Sequence, residues 1–256
     1  MTTQPTPDNP KLAIVTGTTA GIGAEVATQL LAAGWSVIGV ARRTTQHDSQ
    51  RYSHLAADLT DVVSASRRIE EQVSPMLRDR KWSRIGLVNN AASPDLLGVG
   101  ERTDVEALHR VFAINTVVPV WLMGFVARNR AADVPLRIVN VSSGAARQAT
   151  PGLLAYGSSK AALRMAGMVL AAEWESALPH APQRQNLAIQ SYEPGVVETD
   201  MQKLARSLPP ETFPWGGLFH DFVRRGIVVT PAEPAAEIVS FLEGDDQLGF
   251  SEARLA

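Results

Sequence analysis

The sequence predicts one α/β domain built on a single doubly wound parallel sheet, with helices on both faces. Short apolar runs rich in β-branched residues alternate with longer segments of helical periodicity along nearly the whole chain. The 256 residues contain no internal repeat and no linker-like change of composition, and one domain of this kind can reach that length. An unbroken alternation of strands and helices is typical of parallel sheets covered on both sides.

The first predicted strand is the apolar run KLAIVTG, which has the composition of a buried parallel strand. The helix after it keeps its periodicity until the stop signal Gly34. The same two patterns then recur to the end of the chain. The predicted strands cover about 11–17, 36–42, 52–59, 84–92, 136–143 and 186–195. The predicted helices cover about 23–34, 62–77, 104–128, 156–175 and 231–244.

Composition and charge exclude several classes of function. A net charge of −2 gives the chain no general field for nucleic acid or an anionic membrane. The absence of cysteine excludes a disulfide framework and a thiolate metal cluster, and the five scattered histidines predict no metal site. No apolar run approaches the ~20 residues of a membrane span. We therefore expect no membrane and no nucleic-acid partner.

The first ten residues, MTTQPTPDNP, are polar and proline-rich and lack the apolar core of a signal peptide. They predict a flexible tail over 1–10 and leave 11–256 as the single folded domain. The expected compartment of such a chain is the cytoplasm.

A glycine-rich segment, TGTTAGIG, lies between the first predicted strand and its helix, where parallel sheets bind ligands. Gly17 permits a tight turn, Gly21 lets backbone amides approach a phosphate, and Gly23 lets the helix pack closely. The helix N-terminus would then face a pyrophosphate. The segment predicts a Rossmann-type dinucleotide site, although glycines at these positions could also serve packing alone.

The end of the second predicted strand indicates which dinucleotide. NAD-binding folds usually place a carboxylate there for the ribose 2′-hydroxyl, whereas this chain has Ala41 followed by Arg42 and Arg43. Guanidinium groups bind a 2′-phosphate through charge-assisted hydrogen bonds. The pair therefore predicts NADP(H), with a merely solvated basic pair as the alternative.

Tyr156 and Lys160 lie on one face of the predicted helix 156–175, among Ala, Gly and Ser. They are either a surface pair packed against a neighbour or an acid–base couple. The spacing alone recurs by chance and does not choose between them.

Taken together, the glycine spacing and the Tyr-x-x-x-Lys pair resemble the short-chain dehydrogenase/reductase family. The resemblance covers nearly the whole chain from about Lys11, and the motifs NNAA, INT, VNVSSGAA and EPGVVETDM agree with it. Ala92 replaces the last glycine of the family's N-N-A-G, which affects local backbone geometry. Ser143 lies thirteen residues before Tyr156, the family spacing, and is favoured over Ser142.

This resemblance implies a catalytic tetrad of Asn115, Ser143, Tyr156 and Lys160. Tyr156 would donate a proton to the substrate oxygen, helped by Lys160, whose charge favours the phenolate. Ser143 would donate a hydrogen bond to the same oxygen, and Asn115 would hold a water that links Lys160 to solvent. The implied cofactor contacts are Gly17, Thr19, Gly21, Ile22, Gly23, Arg42, Arg43, Asp58, Leu59, Asn90, Ala91, Tyr156, Lys160, Pro194, Gly195, Val197 and Thr199.

Two segments within the last sixty or so residues are ETDMQKLARS and GIVVTPAEPAAEIVSFLEGDDQLGF. They resemble sepiapterin reductase and the benzil reductases, which reduce one carbonyl of a vicinal dicarbonyl with NADPH. The resemblance implies an NADPH-dependent carbonyl reductase for an aromatic or heteroaromatic α-dicarbonyl. A segment at about 200–228 would cap the substrate, unless its apolar residues only anchor a long loop. The capping residues are Met201, Leu204, Phe213, Trp215 and Phe219.

Two other functions stay open. A sepiapterin-type reductase would bind the amino edge of a pterin, with Glu252 as its carboxylate, and a non-catalytic sensor would bind NADPH without turnover. Besides a small carbonyl substrate, the expected partner is a second copy of the chain. Family members usually associate through the fourth and fifth helices, and AALRMAGMVLAAEW offers a close-packing face for a homodimer or homotetramer.

Overall fold

The structure, a computed structural model, describes residues 9–45, 47–79, 81–93, 95, 97–176, 186–245 and 248–255. Most of the predicted tail, residues 1–8, lies outside the described residues. At its end, the Pro10 carbonyl accepts hydrogen bonds from the backbone N–H (2.8 Å) and the hydroxyl (3.0 Å) of Ser83. The chain is thus already fixed to its neighbours one residue before the first strand.

Parallel strands form the centre of the molecule. Their bounds are β1 Lys11–Thr16, β2 Ser36–Ala41, β3 Tyr52–Ala56, β4 Arg84–Asn89, β5 Leu136–Val141, β6 Leu187–Glu193, β7 Val196–Val197, β8 Val228–Val229 and β9 Gly249–Arg254. Seven of them make one sheet in the order β3-β2-β1-β4-β5-β6-β9, and β7 pairs separately with β8. The strand order reverses between β1 and β4, which opens a crevice above their carboxyl ends.

Helices cover both faces of the sheet, which confirms the predicted fold class. Their bounds are α1 Gly21–Ala32, α2 Val62–Arg78, α3 Val105–Phe112, α4 Val118–Asn129, α5 Leu154–Glu175, α6 Asp200–Ser207, α7 Gly216–Arg224 and α8 Ala232–Glu243. Successive residues of β1 point to opposite faces. Leu12 and Ile14 join the core under α2, α4 and α5, whereas Ala13 and Val15 join the core under α1 and α8.

The seventh strand of the sheet, β9, was not predicted. Its residues, GFSEAR, are half-buried or exposed, so the segment lacks the apolar run of a central strand. It forms the edge of the sheet and pairs with β6. Pairing with a distant strand, rather than local propensity, makes this segment extended.

The predicted helix 104–128 is continuous in the structure, because a π-helical turn at Ala113–Val117 joins α3 to α4. This helix, Val105–Asn129, is long and apolar enough to cross a membrane by length and composition. The expectation that no apolar segment approaches such a length is therefore wrong. In the fold, 56% of its most apolar window is buried, as in a core helix, and Leu122 and Phe125 pack in the core against the sheet.

Candidate active site

A cavity of about 360 Å³ opens at the carboxyl ends of β1, β2, β4 and β5, where the strand order reverses. Most of the predicted cofactor residues line it. They are Gly17, Thr19, Gly21, Ile22, Arg42, Arg43, Asp58, Leu59, Asn90, Ala91, Tyr156, Lys160, Pro194 and Thr199. The predicted contacts Gly23, Gly195 and Val197 lie outside this lining.

The lining also includes residues that were not predicted. They are Ala20, Val40, Ala41, Ala57, Ala92, Ile114, Val141, Ser142 and Asp200. Each lies within two residues of a predicted site residue. The motifs therefore gave the position of the wall, and the fold decided which of their neighbours face the cavity.

Backbone conformation explains the glycines of the loop between β1 and α1. Gly17 and Gly21 have φ values of +75° and +57°, in the left-handed region that side chains disfavour. A Cβ at Gly17 would lie 2.9 Å from Asn90 Nδ2, and a Cβ at Gly23 would collide with the Gly17 carbonyl oxygen. Gly23 thus permits close packing of the loop on itself. The cradle left at the N-terminus of α1 fits the pyrophosphate of a dinucleotide.

Residues after β4 hold this glycine loop by hydrogen bonds. The Asn90 side-chain amide donates to the carbonyl oxygens of Thr16 (3.0 Å) and Gly17 (3.3 Å). The Thr16 hydroxyl accepts from the backbone N–H groups of Asn90 and Ala91, each at 3.0 Å. The NNAA motif therefore both lines the cavity and shapes the loop opposite.

Arg42 and Arg43 follow β2 and are exposed at the rim of the cavity. Arg43 Nη2 donates to the Thr19 hydroxyl at 3.3 Å. The pKa of Asp58 is lowered, chiefly by a hydrogen bond from the Thr60 backbone N–H and also by the charge of Arg42. This end of the cavity presents two guanidinium groups and one ionised carboxylate.

At the other end of the cavity, the phenol of Tyr156 lies beside Ser143. Burial raises the pKa of Tyr156 to about 12, and the Ser143 hydroxyl opposes this rise by hydrogen bonding to the phenol. Ser143 caps a short 3₁₀ turn, Gly144–Ala146, where its hydroxyl accepts from the Ala145 N–H at 3.2 Å. Ser142 is among the residues that line the cavity, whereas Ser143 is half-buried and is not among them.

Lys160 lies one helical turn after Tyr156 and is 2% exposed. Its Nζ donates to the Val141 carbonyl at 2.7 Å and lies 5.7 Å from the centre of the Tyr156 ring. Burial lowers the pKa of Lys160 to about 8. Desolvation of the phenol is the largest contribution to the raised pKa of Tyr156. The predicted support of the phenolate by the charge of Lys160 stays a prediction.

Asn115 lies in the π-helical turn and is fully buried. It is not among the residues that line the cavity. Its Oδ1 accepts from the Ser93 backbone N–H at 2.8 Å, and its Nδ2 donates to the Ser159 hydroxyl at 3.1 Å. The Ser159 hydroxyl donates in turn to the Tyr156 carbonyl at 2.7 Å. Asn115 thus ties the loop after β4 to the helix that carries Tyr156. Its implied contact with a water stays a prediction.

The predicted cap forms α6, a proline-rich loop and α7, and of its five predicted residues only Met201 lines the cavity. Phe213 and Phe219 are buried in a cluster of their own, with ring centres 5.5 Å apart. Trp215 and Leu204 are each 37% exposed. Phe213 and Phe219 therefore anchor the segment, as the alternative interpretation expected, and Met201 is the residue that meets the cavity.

Glu252, the candidate pterin anchor, lies on β9 outside the cavity lining. Its carboxylate accepts two hydrogen bonds from Arg164, at 2.5 and 3.1 Å, and lies 3.6 Å from Arg147. These arginines, Arg164 first, lower the pKa of Glu252. The carboxylate is thus already paired within the protein.

A glycine cradle at the switch point of a doubly wound sheet and a protonated phenol at the same cavity define a dinucleotide-dependent oxidoreductase. The chain belongs to the short-chain dehydrogenase family, whose sequence model matches residues 11–208. Members of this family use NAD(P)(H) to interconvert carbonyls and alcohols.

The chain is similar in sequence or structure to several named reductases. The chain is 29% identical over 240 residues to the Bacillus subtilis protein named benzil reductase ((S)-benzoin forming), across 93% of this chain and 96% of that one. It is 34% identical over 199 residues to L-xylulose reductase of Caenorhabditis elegans, across 75% and 73% of the two chains. The solved structure of the KRED1-Pglu enzyme matches with a TM-score of 0.75 and 27% identity, over 94% of this chain and 100% of that one. The predicted resemblance to the benzil reductase group is confirmed.

Proposed function

We propose that this protein is a benzil-reductase-like enzyme that reduces one carbonyl of an aromatic or heteroaromatic α-dicarbonyl with NADPH. The observation that carries the substrate class is the benzil reductase match over 93% of the chain. The proposed catalytic residues are Tyr156, Ser143, Lys160 and Asn115. The proposed compartment of the enzyme is the cytoplasm.

Arg42 and Arg43 support NADPH over NADH. Both guanidinium groups are exposed at the cavity rim, and Ala41 leaves the end of β2 without a carboxylate for a ribose hydroxyl. A hydrogen bond to a charged group contributes ~1.5–3 kcal/mol, which is about ten- to a hundredfold in affinity. One such contact with a 2′-phosphate would already set the preference.

When bound, the reduced nicotinamide supplies the hydride that the carbonyl carbon accepts. The chain's own residues deal with the proton and with the charge on the substrate oxygen. Tyr156 is protonated near neutral pH, because its pKa is about 12, and it donates that proton to the oxygen. Ser143, beside the phenol, stabilises the oxygen by a hydrogen bond. The ammonium of Lys160 favours the phenolate that remains.

Met201 supports a planar aromatic substrate, because it places an apolar side chain on the cavity wall beside Thr199 and Asp200. Aromatic rings bury much apolar area in such contacts.

A specific observation favours a second candidate, the reduction of a ketose, since L-xylulose reductase shares 34% identity over 75% of the chain. The pterin alternative loses support, because Arg164 and Arg147 already pair with Glu252.

Steady-state kinetics with NADPH separate these functions. The panel contains benzil, 1-phenyl-1,2-propanedione, sepiapterin and L-xylulose, with chiral analysis of the products. We expect one of the two aromatic diketones to have the highest kcat/KM, by about tenfold, equivalent to ~1.4 kcal/mol of transition-state binding. If L-xylulose had the highest kcat/KM, the protein would be assigned as a ketose reductase. If sepiapterin had the highest kcat/KM and Glu252→Gln removed this advantage, the substrate would be a pterin. Nucleotide binding without turnover of any substrate would show that the protein is a sensor.

The double variant Arg42→Ala, Arg43→Ala tests the cofactor separately. We expect its KM for NADPH to rise by about tenfold or more, because the charge-assisted bonds to the phosphate are lost. The kinetics with NADH should stay level. Arg67→Ala is the control, since it removes an exposed arginine of α2 that is outside the cavity lining. An unchanged KM for NADPH would show that the phosphate is held elsewhere.

A further inference from the structure

Thr18, in the middle of the glycine-rich loop, is 1% exposed. Its hydroxyl shares a hydrogen bond of 3.1 Å with the hydroxyl of Tyr52, the first residue of β3. The two residues are 34 positions apart. The contact links the nucleotide loop to the outer strand of the sheet, across β2.

Gly39 makes this contact possible. It lies in β2, between the strand that carries Tyr52 and the strand that leads to Thr18. A Cβ at Gly39 would collide with the Tyr52 hydroxyl and would lie 2.7 Å from Thr18 Oγ1. The missing side chain therefore forms a notch through which the phenol of Tyr52 reaches across β2. A glycine is otherwise unfavourable within a strand.

The ring of Tyr52 is itself held in place. The His47 ring lies against it, with centres 4.3 Å apart, and its hydroxyl lies 3.4 Å from His54 Nδ1. The ring also packs against the core under α1 and α8. A hydroxyl presented by such a supported ring is a fixed point for Thr18.

We infer that Tyr52 is a positioning residue for the glycine-rich loop and thereby strengthens dinucleotide binding. Thr18 lies between Gly17 and Thr19, both of which line the cavity, and Thr19 also accepts the hydrogen bond from Arg43. Fixing the Thr18 side chain fixes the backbone that joins these two residues. The loop is then already ordered when the nucleotide binds, and less binding energy is lost in ordering it. The inference rests on the dinucleotide binding of the family and not on the proposed substrate.

Direct titration of the purified protein tests this role. It uses whichever of NADPH and NADH the wild-type protein binds more tightly, so the result does not depend on the preference proposed above. Tyr52→Phe keeps the ring and removes the hydroxyl, and we expect the Kd to rise about three- to tenfold. Thr18→Val should have a similar effect, whereas Thr18→Ser, which keeps a hydroxyl, should stay near wild type. Ser53→Ala is the control, since it removes an exposed hydroxyl from the next residue of the same strand.

Two further readouts separate positioning from a general loss of structure. The double variant Thr18→Val, Tyr52→Phe should bind no more weakly than the weaker single variant, because both singles break one bond. Its kcat at saturating nucleotide and the melting temperature of the nucleotide-free protein should stay near wild type. A Kd in Tyr52→Phe within about twofold of wild type, or single effects that multiply in the double variant, would overturn the inference. A fall in kcat at saturation with an unchanged Kd would overturn it as well.

Discussion

Burial shifts the two groups of the Tyr156–Lys160 pair in opposite directions. It favours the neutral form of each, so the pKa of the phenol rises to about 12 and the pKa of the amine falls to about 8. The family resemblance implied a lysine whose charge favours the phenolate and which also contacts the cofactor. In the structure, desolvation dominates both residues, and the phenol is a proton donor throughout the neutral pH range.

Tyr156→Phe is expected to abolish turnover and leave nucleotide binding nearly intact. The ring still packs, and only the proton donor is lost, which should lower kcat by ~10²–10⁴-fold. Single-turnover kinetics and a nucleotide titration would measure the two effects separately. A variant that keeps more than about a tenth of the wild-type kcat would show that another group donates the proton.

Lys160→Met is expected to stabilise the nucleotide-free protein at pH 7 by on the order of 1–3 kcal/mol. The pKa of Lys160 falls from 10.5 to about 8 on folding. The unfolded chain therefore binds the extra proton between these values, and wild-type stability rises with pH there. Below about pH 8 the full cost of burying the ammonium is present, so the advantage of the variant is greatest.

Urea unfolding at pH 7 and at pH 9.5 measures this difference. The gain of Lys160→Met should shrink at the higher pH. Lys203→Met, at an exposed lysine of α6, is the control and should show no such pH dependence. A gain that does not change with pH would contradict the origin of the effect in the buried ammonium.

Among the elements, the turn that carries Ser143 is connected to two strands through Arg147. Arg147 lies 2.6 Å from Glu193 at the end of β6 and 3.6 Å from Glu252 on β9. The side chain of Glu193 is 9% exposed, whereas that of Arg147 is 43% exposed. The buried carboxylate therefore depends on a cation from the neighbouring turn, and the turn depends on the register of β6 and β9.

Arg147→Gln is expected to destabilise the protein by about 1–2 kcal/mol, since it leaves the Glu193 carboxylate buried without this partner. The value is below that of a fully buried pair because Arg147 is partly exposed. Adding Glu193→Gln should restore most of the loss, because a neutral amide is cheaper to bury than an unpaired charge. Urea unfolding of the two single variants and the double variant measures the change in the free energy of unfolding. Losses that simply add would contradict the pairing.

On the scale of the whole molecule, apolar side chains are exposed along two adjacent helices. Val120 of α4 is 38% exposed, and Met165 and Val169 of α5 are 53% and 50% exposed. Met165 and Val169 are one helical turn apart and lie on the same face. We propose that a second copy of the chain covers this surface, as predicted for the fourth and fifth helices of the family.

Met165→Glu is expected to shift the protein towards the monomer, because it would bury a charge in an apolar interface. Size-exclusion chromatography with light scattering over a range of concentrations measures the mass. Val63→Glu is the control, at a valine of α2 that is 68% exposed and belongs to neither α4 nor α5. A wild-type protein that is monomeric at all concentrations would rule out this association.

The sequence alone determined the features that depend on short spacings. Gly17, Gly21 and Gly23 lie between a strand and a helix. The conformation of their loop depends on the positive φ of Gly17 and Gly21 and on the close contact of Gly23 with the Gly17 carbonyl oxygen. Tyr156 and Lys160 share a helical face because they are four residues apart. The apolar runs of the central strands likewise predict burial on both faces. For this reason the fold class and most of the cavity lining could be predicted.

Only the tertiary structure decided the features that join distant segments. β9 is a strand because β6 pairs with it, and Asn115 contacts Ser93 and Ser159 rather than the cavity. Phe213 became an anchor because the loop around it folds into a cluster of its own. The pKa values of Tyr156 and Lys160 follow from burial, which no spacing reveals. Such contacts depend on which strands become neighbours, and a short stretch of sequence carries no information about neighbours that lie far along the chain.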